Sequence, residues 1–325
     1  MRTLIDFDRA LAFAIPAVTR NGGPFIREGM LLEGPQGWGE FSPSGDGDAA
    51  AWLTAATEPG TVGWPDTIRG RVPVSVSVPA IDPEAAHQLV ADSGCATADV
   101  VVAEQSGSLA ADVARVEAVR AALGPGGAIR CLAGGGWDVD EAVRAIRALG
   151  GAAGDLEYVQ DPCRAAAELA AVRLEVDVRI AVDVAAYSTG EAGGAPGGVR
   201  WVDAADVAVL KTGPLGGVRR ALRVGERIGL PCVVSGALET SVGLAAGLAL
   251  AGALPELPFA CGLGTRPWLS GDVVSAGRSL VPNAGHLPVA PMPPAPAGEL
   301  VARYALTDPS RLAMWRQRLR RLVEQ

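Results

Sequence analysis

The stretch VAVLKTGPLGGVRRALRVGERIGLPCVVS, residues 207–235, contains a whole strand–helix–strand unit. Residues 207–211 are a continuous run of small branched side chains ending in Lys211. Residues 215–228 carry a helical period, and residues 232–235 are apolar again. Continuous apolar strands separated by helices predict a parallel sheet buried on both faces. The same rhythm extends upstream, with strands expected over 72–78, 98–103, 128–133, 156–159 and 179–184, and downstream over 259–263. Helices are expected over 109–123, 140–149, 165–174 and 241–254. Seven or eight such units predict an α/β fold of the closed (β/α)-barrel type. A doubly wound sheet is the alternative, but no GxGxxG follows the first strand.

The first 60 or so residues are different. Strands are expected over 11–16, 25–32 and 37–41 and a helix over 48–57, which together make an α+β cap. The expected division is a capping domain over 1–68, a barrel over 69–285 and a C-terminal segment over 286–325. That last segment returns through the proline-rich residues 288–296 to the cap and ends in a helix over 311–323. A glycine-rich loop over 190–198 stands where a helix would otherwise follow the fifth barrel strand.

Composition narrows the function. A chain of 325 residues with 49% hydrophobic content can bury one large core of small side chains. Its formal charge of −8 speaks against nucleic acid as a partner. The basic residues 316–321 read as a solvated helix face. Charges near the N-terminus and a longest apolar run (242–254) broken by glycines point to a cytoplasmic protein with no membrane partner. The five cysteines form no CxxC pair and read as buried small hydrophobes. Two histidines, His87 and His286, leave little from which to build a His-based triad or metal site. Monomer and homo-oligomer both stay open.

Of 28 basic residues only Lys211 is lysine. Arginine stays charged at any cellular pH, whereas lysine can serve as a base, a cation or a Schiff-base nucleophile. Codon drift toward arginine leaves an occasional lysine by chance, but this one ends a strand. In a parallel barrel the chemistry gathers at the strands' C-terminal ends. Those ends read Asp99 or Val101, Leu132, Gln160-Asp161, Asp183, Lys211, Ser235 and the run from Gly262 to Thr265.

Several motifs in order carry a resemblance: Arg27-Glu28-Gly29, Gly37-Trp38-Gly39-Glu40-Phe41-Ser42-Pro43, Pro214-Leu215-Gly216-Gly217, Ala237-Leu238-Glu239-Thr240-Ser241 and Cys261-Gly262-Leu263-Gly264-Thr265. With the strand ending in Lys211 they resemble the actinobacterial o-succinylbenzoate synthases, enolase-superfamily dehydratases of menaquinone biosynthesis. The resemblance implies a Mg²⁺ held by carboxylates at the ends of the third, fourth and fifth barrel strands, with lysines on the second and sixth. This chain departs from that pattern. The second-strand lysine is Val101, the first ligand is Leu132 and the second is Gln160. Only Asp183 and Lys211 match. Asp161, one position beyond Gln160, is expected to point away by strand alternation.

The expected site therefore pairs Lys211 and Asp183 as the catalytic residues, with no metal and no cofactor. Ser235, Arg266, Trp268, Gln160, Asp99 and Asn21 are expected to bind a small-molecule substrate. Glu239 is read as fixing the turn after it. Two functions follow. One is a metal-independent lyase, isomerase or cyclase acting on a substrate with its own carbonyl electron sink. The other is a catalytically dead binding or regulatory pseudoenzyme in which Lys211 and Asp183 form a structural ion pair.

Overall fold

The computed structural model describes residues 5–324 except 46, 48 and 188–198. The glycine-rich loop expected over 190–198 lies outside the described residues.

Strands β1 (Leu11–Val18), β2 (Pro24–Gly34) and β3 (Gly37–Phe41) form an antiparallel sheet, followed by helix α1 (Ala49–Thr61). Helix and sheet touch because Gly39 has no side chain. A Cβ there would stand 1.8 Å from the Ala56 carbonyl oxygen, so even alanine would force them apart. Met30, Leu32, Phe41 and Trp52 form the core of this cap.

Eight parallel strands follow: β4 (Arg71–Val78), β5 (Thr97–Val101), β6 (Ala128–Leu132), β7 (Tyr158–Gln160), β8 (Ile180–Asp183), β9 (Val207–Leu210), β10 (Cys232–Val234) and β11 (Cys261–Gly264). Each pairs with its sequence neighbour, β11 returns to pair with β4, and the bridge from Ser235 to Gly262 joins the two ends of the path. The result is a barrel, as the alternation of strand and helix predicts. Valines and isoleucines of the strands interdigitate with the inner faces of the surrounding helices in one continuous core.

The longer helices are α2 (Pro83–Ser93), α3 (Leu109–Leu123), α4 (Val139–Ala153) and α5 (Ala166–Glu175). Single turns α6 (Val184–Tyr187), α7 (Trp201–Ala204) and α8 (Thr212–Leu215) precede α9 (Val218–Ile228) and α10 (Ser241–Ala253). Helix α2 is an addition to the sequence reading, and its signals are local. The Asp82 side chain accepts from the Ala85 N–H, Pro83 occupies the first turn, and Gly94 stops the helix in the left-handed conformation. Helix α10 is apolar on nearly every side because β10, β11 and the cap enclose it. No helix among the described residues is long and apolar enough to cross a membrane.

After the barrel, β12 (His286–Pro288) pairs antiparallel with β4. The chain then crosses to the cap through α11 (Gly298–Arg303) and α12 (Pro309–Val323). There Trp315 meets Phe41 edge-on at 5.9 Å and donates to Glu28 at 2.8 Å. The five cysteines are buried and unpaired.

Candidate active site

A cavity of about 470 Å³ opens over the C-terminal ends of the barrel strands. The cap supplies its roof, including Thr19, Arg20, Asn21 and Phe25, and the barrel supplies its floor. Two buried contacts fix cap to barrel beside it. Arg27 donates to the Leu238 carbonyl at 2.9 Å and to the Ser42 carbonyl at 2.6 Å. Glu40 accepts from the Thr240 N–H at 3.0 Å, the Thr240 hydroxyl at 2.5 Å and the Gly243 N–H at 3.2 Å. Burial pushes the Glu40 carboxyl up to about 7, against the opposing pull of the Arg27 charge.

Lys211 follows β9 and projects into the floor. Its Nζ lies 2.7 Å from Asp183 Oδ2, and the pair is mostly buried. Burial alone would favour a neutral amine, but the Asp183 charge and hydrogen bond, with Asp161 nearby, hold the Lys211 pKa above its ordinary value. At neutral pH Lys211 is an ammonium. The other Asp183 oxygen accepts from the Ala185 N–H at 3.1 Å.

Next to this pair the floor is largely apolar. Val101 is in register with Leu132, and Leu132 with Gln160, so three adjacent strand ends present two aliphatic side chains and an amide. Asp99 sits two residues deeper on β5. It accepts from Ser75 Oγ at 2.6 Å and faces Arg130 at 3.3 Å, and burial raises its pKa despite that arginine. Arg130 is fully buried and also bonds Glu157 at 2.5 Å and the Ala260 carbonyl at 2.7 Å.

The remaining predicted residues divide. Asn21, Gln160, Ser235 and Trp268 line the cavity, and the Trp268 indole is fixed by donating to the Ser77 carbonyl at 3.0 Å. Arg266 is a correction. It leaves the strand end in a 3-10 turn and bonds Asp272 at 2.9 Å and the Leu269 carbonyl at 2.8 Å, outside the cavity lining. Asp161 is a second correction. It lies past the end of β7 with φ +47°, so strand alternation no longer governs it. Its carboxylate accepts from the Asp183 N–H at 2.9 Å and from the Gln160 amide at 2.8 Å. Burial and the Asp183 charge both push its pKa up.

The expected substrate-binding set omits Arg20, which no strand end marks, and Thr265, although Thr265 closes one of the strand-end runs. Arg20 reaches from the cap to Glu104 at 2.7 Å and to the Leu132 carbonyl at 2.9 Å. Thr265 lines the cavity with its hydroxyl buried and, among the described residues, without a hydrogen-bond partner, a polar group available to a ligand. Glu239 accepts from the Ala237 N–H at 2.7 Å, so this bond ties down the residues before it rather than the turn after it.

The comparisons with known proteins fit this architecture. The model for enolase C-terminal domain-like sequences matches residues 83–294, and that for enolase N-terminal domain-like sequences matches residues 12–59. The chain belongs to the enolase superfamily. Within that superfamily it is 54% identical over 281 residues to an o-succinylbenzoate synthase from Thermobifida fusca, covering 86% of each chain. It is 44% identical over 308 residues to one from Mycolicibacterium smegmatis, covering 94% of this chain and 92% of that one. Among solved structures it superposes on the L-Ala-D/L-Glu epimerase of Bacillus subtilis with TM-score 0.73 at 19% identity, covering 89% of this chain and 97% of that one. The muconate lactonizing enzyme of Pseudomonas fluorescens gives TM-score 0.74 at 18% identity, with coverages of 94% and 100%. These superpositions establish the enolase-type fold.

The superfamily implies a Mg²⁺ site, and the donor set can be tested against it. Leu132 offers no donor atom, the Gln160 amide is turned to Asp161, and Asp183 is neutralised by Lys211. Among the described residues no three His, Cys, Asp or Glu side chains are grouped to hold an ion. A hard divalent cation needs several oxygen ligands with anionic character, and these residues do not fit it.

Proposed function

We propose that this o-succinylbenzoate synthase-like chain is a lyase, isomerase or cyclase that works without a divalent cation. Its substrate is a small molecule carrying its own carbonyl or quinone-like electron sink. The observation that carries the proposal is the 2.7 Å Lys211–Asp183 pair at the cavity floor, beside Val101, Leu132 and Gln160. Lys211 enters the reaction as an ammonium. It donates a hydrogen bond to the substrate carbonyl oxygen and stabilises the negative charge that develops there as a neighbouring C–H bond breaks. Of the two carboxylates lining the cavity among the described residues, Glu104 is held by Arg20 and Asp99 by Ser75 and Arg130; Asp99 lies at the floor, and burial raises its pKa, which suits it to receive that proton. Phe25, Leu238 and Trp268 offer an apolar wall for the substrate's body.

A binding protein is the second reading. Both cations lining the cavity are already paired, Lys211 with Asp183 and Arg20 with Glu104. The deciding experiment follows loss of α-protons from a panel of small cyclic ketones and enones in D₂O by NMR, with EDTA present. Catalysed exchange that survives EDTA and disappears in Lys211→Ala is expected. Exchange or turnover that appears only with Mg²⁺ would overturn the metal-free proposal. No exchange with any cavity-binding ketone would favour the binding protein.

A further inference from the structure

A second concavity, about 660 Å³, lies between α1 and α9, away from the barrel mouth. Four arginines of α9 line it: Arg219, Arg220, Arg223 and Arg227. Arg219, Arg223 and Arg227 recur every fourth residue and so share one helix face. Arg220 lies against bare backbone, 3.3 Å from where a Cβ on Gly216 would stand. Threonine side chains of α1 form the facing wall.

The groove contains one carboxylate, Glu58, and its oxygens are committed. They accept from the Val218 N–H at 2.6 Å and the Arg219 N–H at 3.0 Å, capping the start of α9. Arg219 Nε is 4.0 Å from the same carboxylate. Among the described residues, Arg220, Arg223 and Arg227 have no carboxylate within ion-pairing distance, and Arg227 turns its Nε to the Arg223 carbonyl at 3.3 Å. Like charges four residues apart destabilise a helix. Folding gives no reason for them, since α9 packs through Val218, Ala221, Val224 and Ile228 on its other face. They also stand against the sign of a chain whose net charge is −8.

We propose that this groove binds a small ligand with linked phosphates. Arginine's planar fork matches phosphate oxygens two at a time. Arg219 and Arg227 are eight residues apart, about 12 Å along the axis at 1.5 Å per residue, which is longer than one tetrahedral oxyanion. A triphosphate is shorter than that distance, but the long side chains of Arg219 and Arg227 can converge on its two ends, and it can come from an inorganic chain or from a nucleotide. Calorimetric titration of the full-length chain at low salt, without added metal, separates these sources by using orthophosphate, inorganic triphosphate and a nucleoside triphosphate.

Triphosphate is expected to bind about tenfold or more tighter than orthophosphate, and to weaken as salt screens the charges. The double variant Arg220→Gln/Arg223→Gln is expected to lower triphosphate affinity by about tenfold while circular dichroism shows an unchanged fold. Arg320→Gln, on the basic face of α12, should leave affinity unchanged. Equal binding of the inorganic and nucleoside forms would assign recognition to the phosphate chain. Tighter binding of the nucleoside form would assign part of it to the base and sugar. Triphosphate binding no tighter than orthophosphate overturns the proposal, as does an affinity that the double variant does not change or that Arg320→Gln reduces as much.

Discussion

Lys211 and Asp183 limit what each can do. A lysine 2.7 Å from a buried carboxylate is poorly placed to accept a proton and well placed to present one. Removing the ammonium leaves Asp183 buried without a counter-charge, so Lys211→Ala should lose on the order of 2–3 kcal/mol of stability. Lys211→Arg should recover most of that loss. In the proton-exchange assay Lys211→Arg should keep part of the activity that Lys211→Ala loses, because a guanidinium can also donate a hydrogen bond to the developing oxyanion, though its planar fork meets it in a different geometry. Denaturant unfolding and exchange rates on the same two variants separate the structural role from the chemical one. A Lys211→Arg form as inactive as Lys211→Ala would mean that Lys211 transfers a proton rather than stabilising charge. Arg130 raises the same issue deeper in the barrel, where it holds Asp99 and Glu157 and lies 4.8 Å over the Tyr158 ring. Arg130→Ala strands Asp99 and should cost about 3–5 kcal/mol, read as a fall in the urea midpoint.

At the scale of elements, the strand ends carried most of what the sequence could tell. A parallel strand has one functional end, and apolar runs fix that end to within two residues, so Asp99, Gln160, Lys211 and Ser235 are legible from the sequence as residues around one mouth. What could not be read begins where strand periodicity stops. Asp161 swings back toward Asp183 because it adopts a left-handed conformation one residue beyond β7. Arg266 turns to Asp272 because a 3-10 turn, absent from any hydrophobic period, redirects it. Arg20 reaches a barrel strand from a cap loop, and no pattern along the chain encodes a contact across 112 residues of sequence. The register of Val101, Leu132 and Gln160 yields a direct test. The triple variant Val101→Lys/Leu132→Asp/Gln160→Glu places a cation and two carboxylates on adjacent strand ends. Thermal unfolding with and without millimolar Mg²⁺ should show stabilisation of the variant and none of the parent chain. Equal stabilisation of both would show that the parent already holds the ion.

For the whole molecule, the question is what keeps the cap seated over the barrel. Part of the answer is Glu40, a β3 carboxyl inserted against the start of α10. Its folded-state pKa is raised from 4.5 to about 7, chiefly by burial. The folded protein therefore binds this proton more tightly than the unfolded chain does. The stability that Glu40 contributes is fully present below pH about 4.5 and is lost as pH rises through about 7. The full swing is on the order of 3 kcal/mol, from about 1.4 kcal/mol per pH unit. Glutamine reproduces the protonated form. Its carbonyl oxygen can accept from Thr240 and Gly243, and its amide can donate to Ser42 Oγ, which lies 2.7 Å from Glu40 Oε1. Urea unfolding at pH 5 and pH 8 should therefore show a smaller pH-dependent loss for Glu40→Gln than for the parent chain, with the difference assigned to this carboxyl alone. If the two slopes coincide, Glu40 is ionised throughout that range, and Arg27, whose charge pulls against burial, holds the cap in place by pairing with a permanent carboxylate.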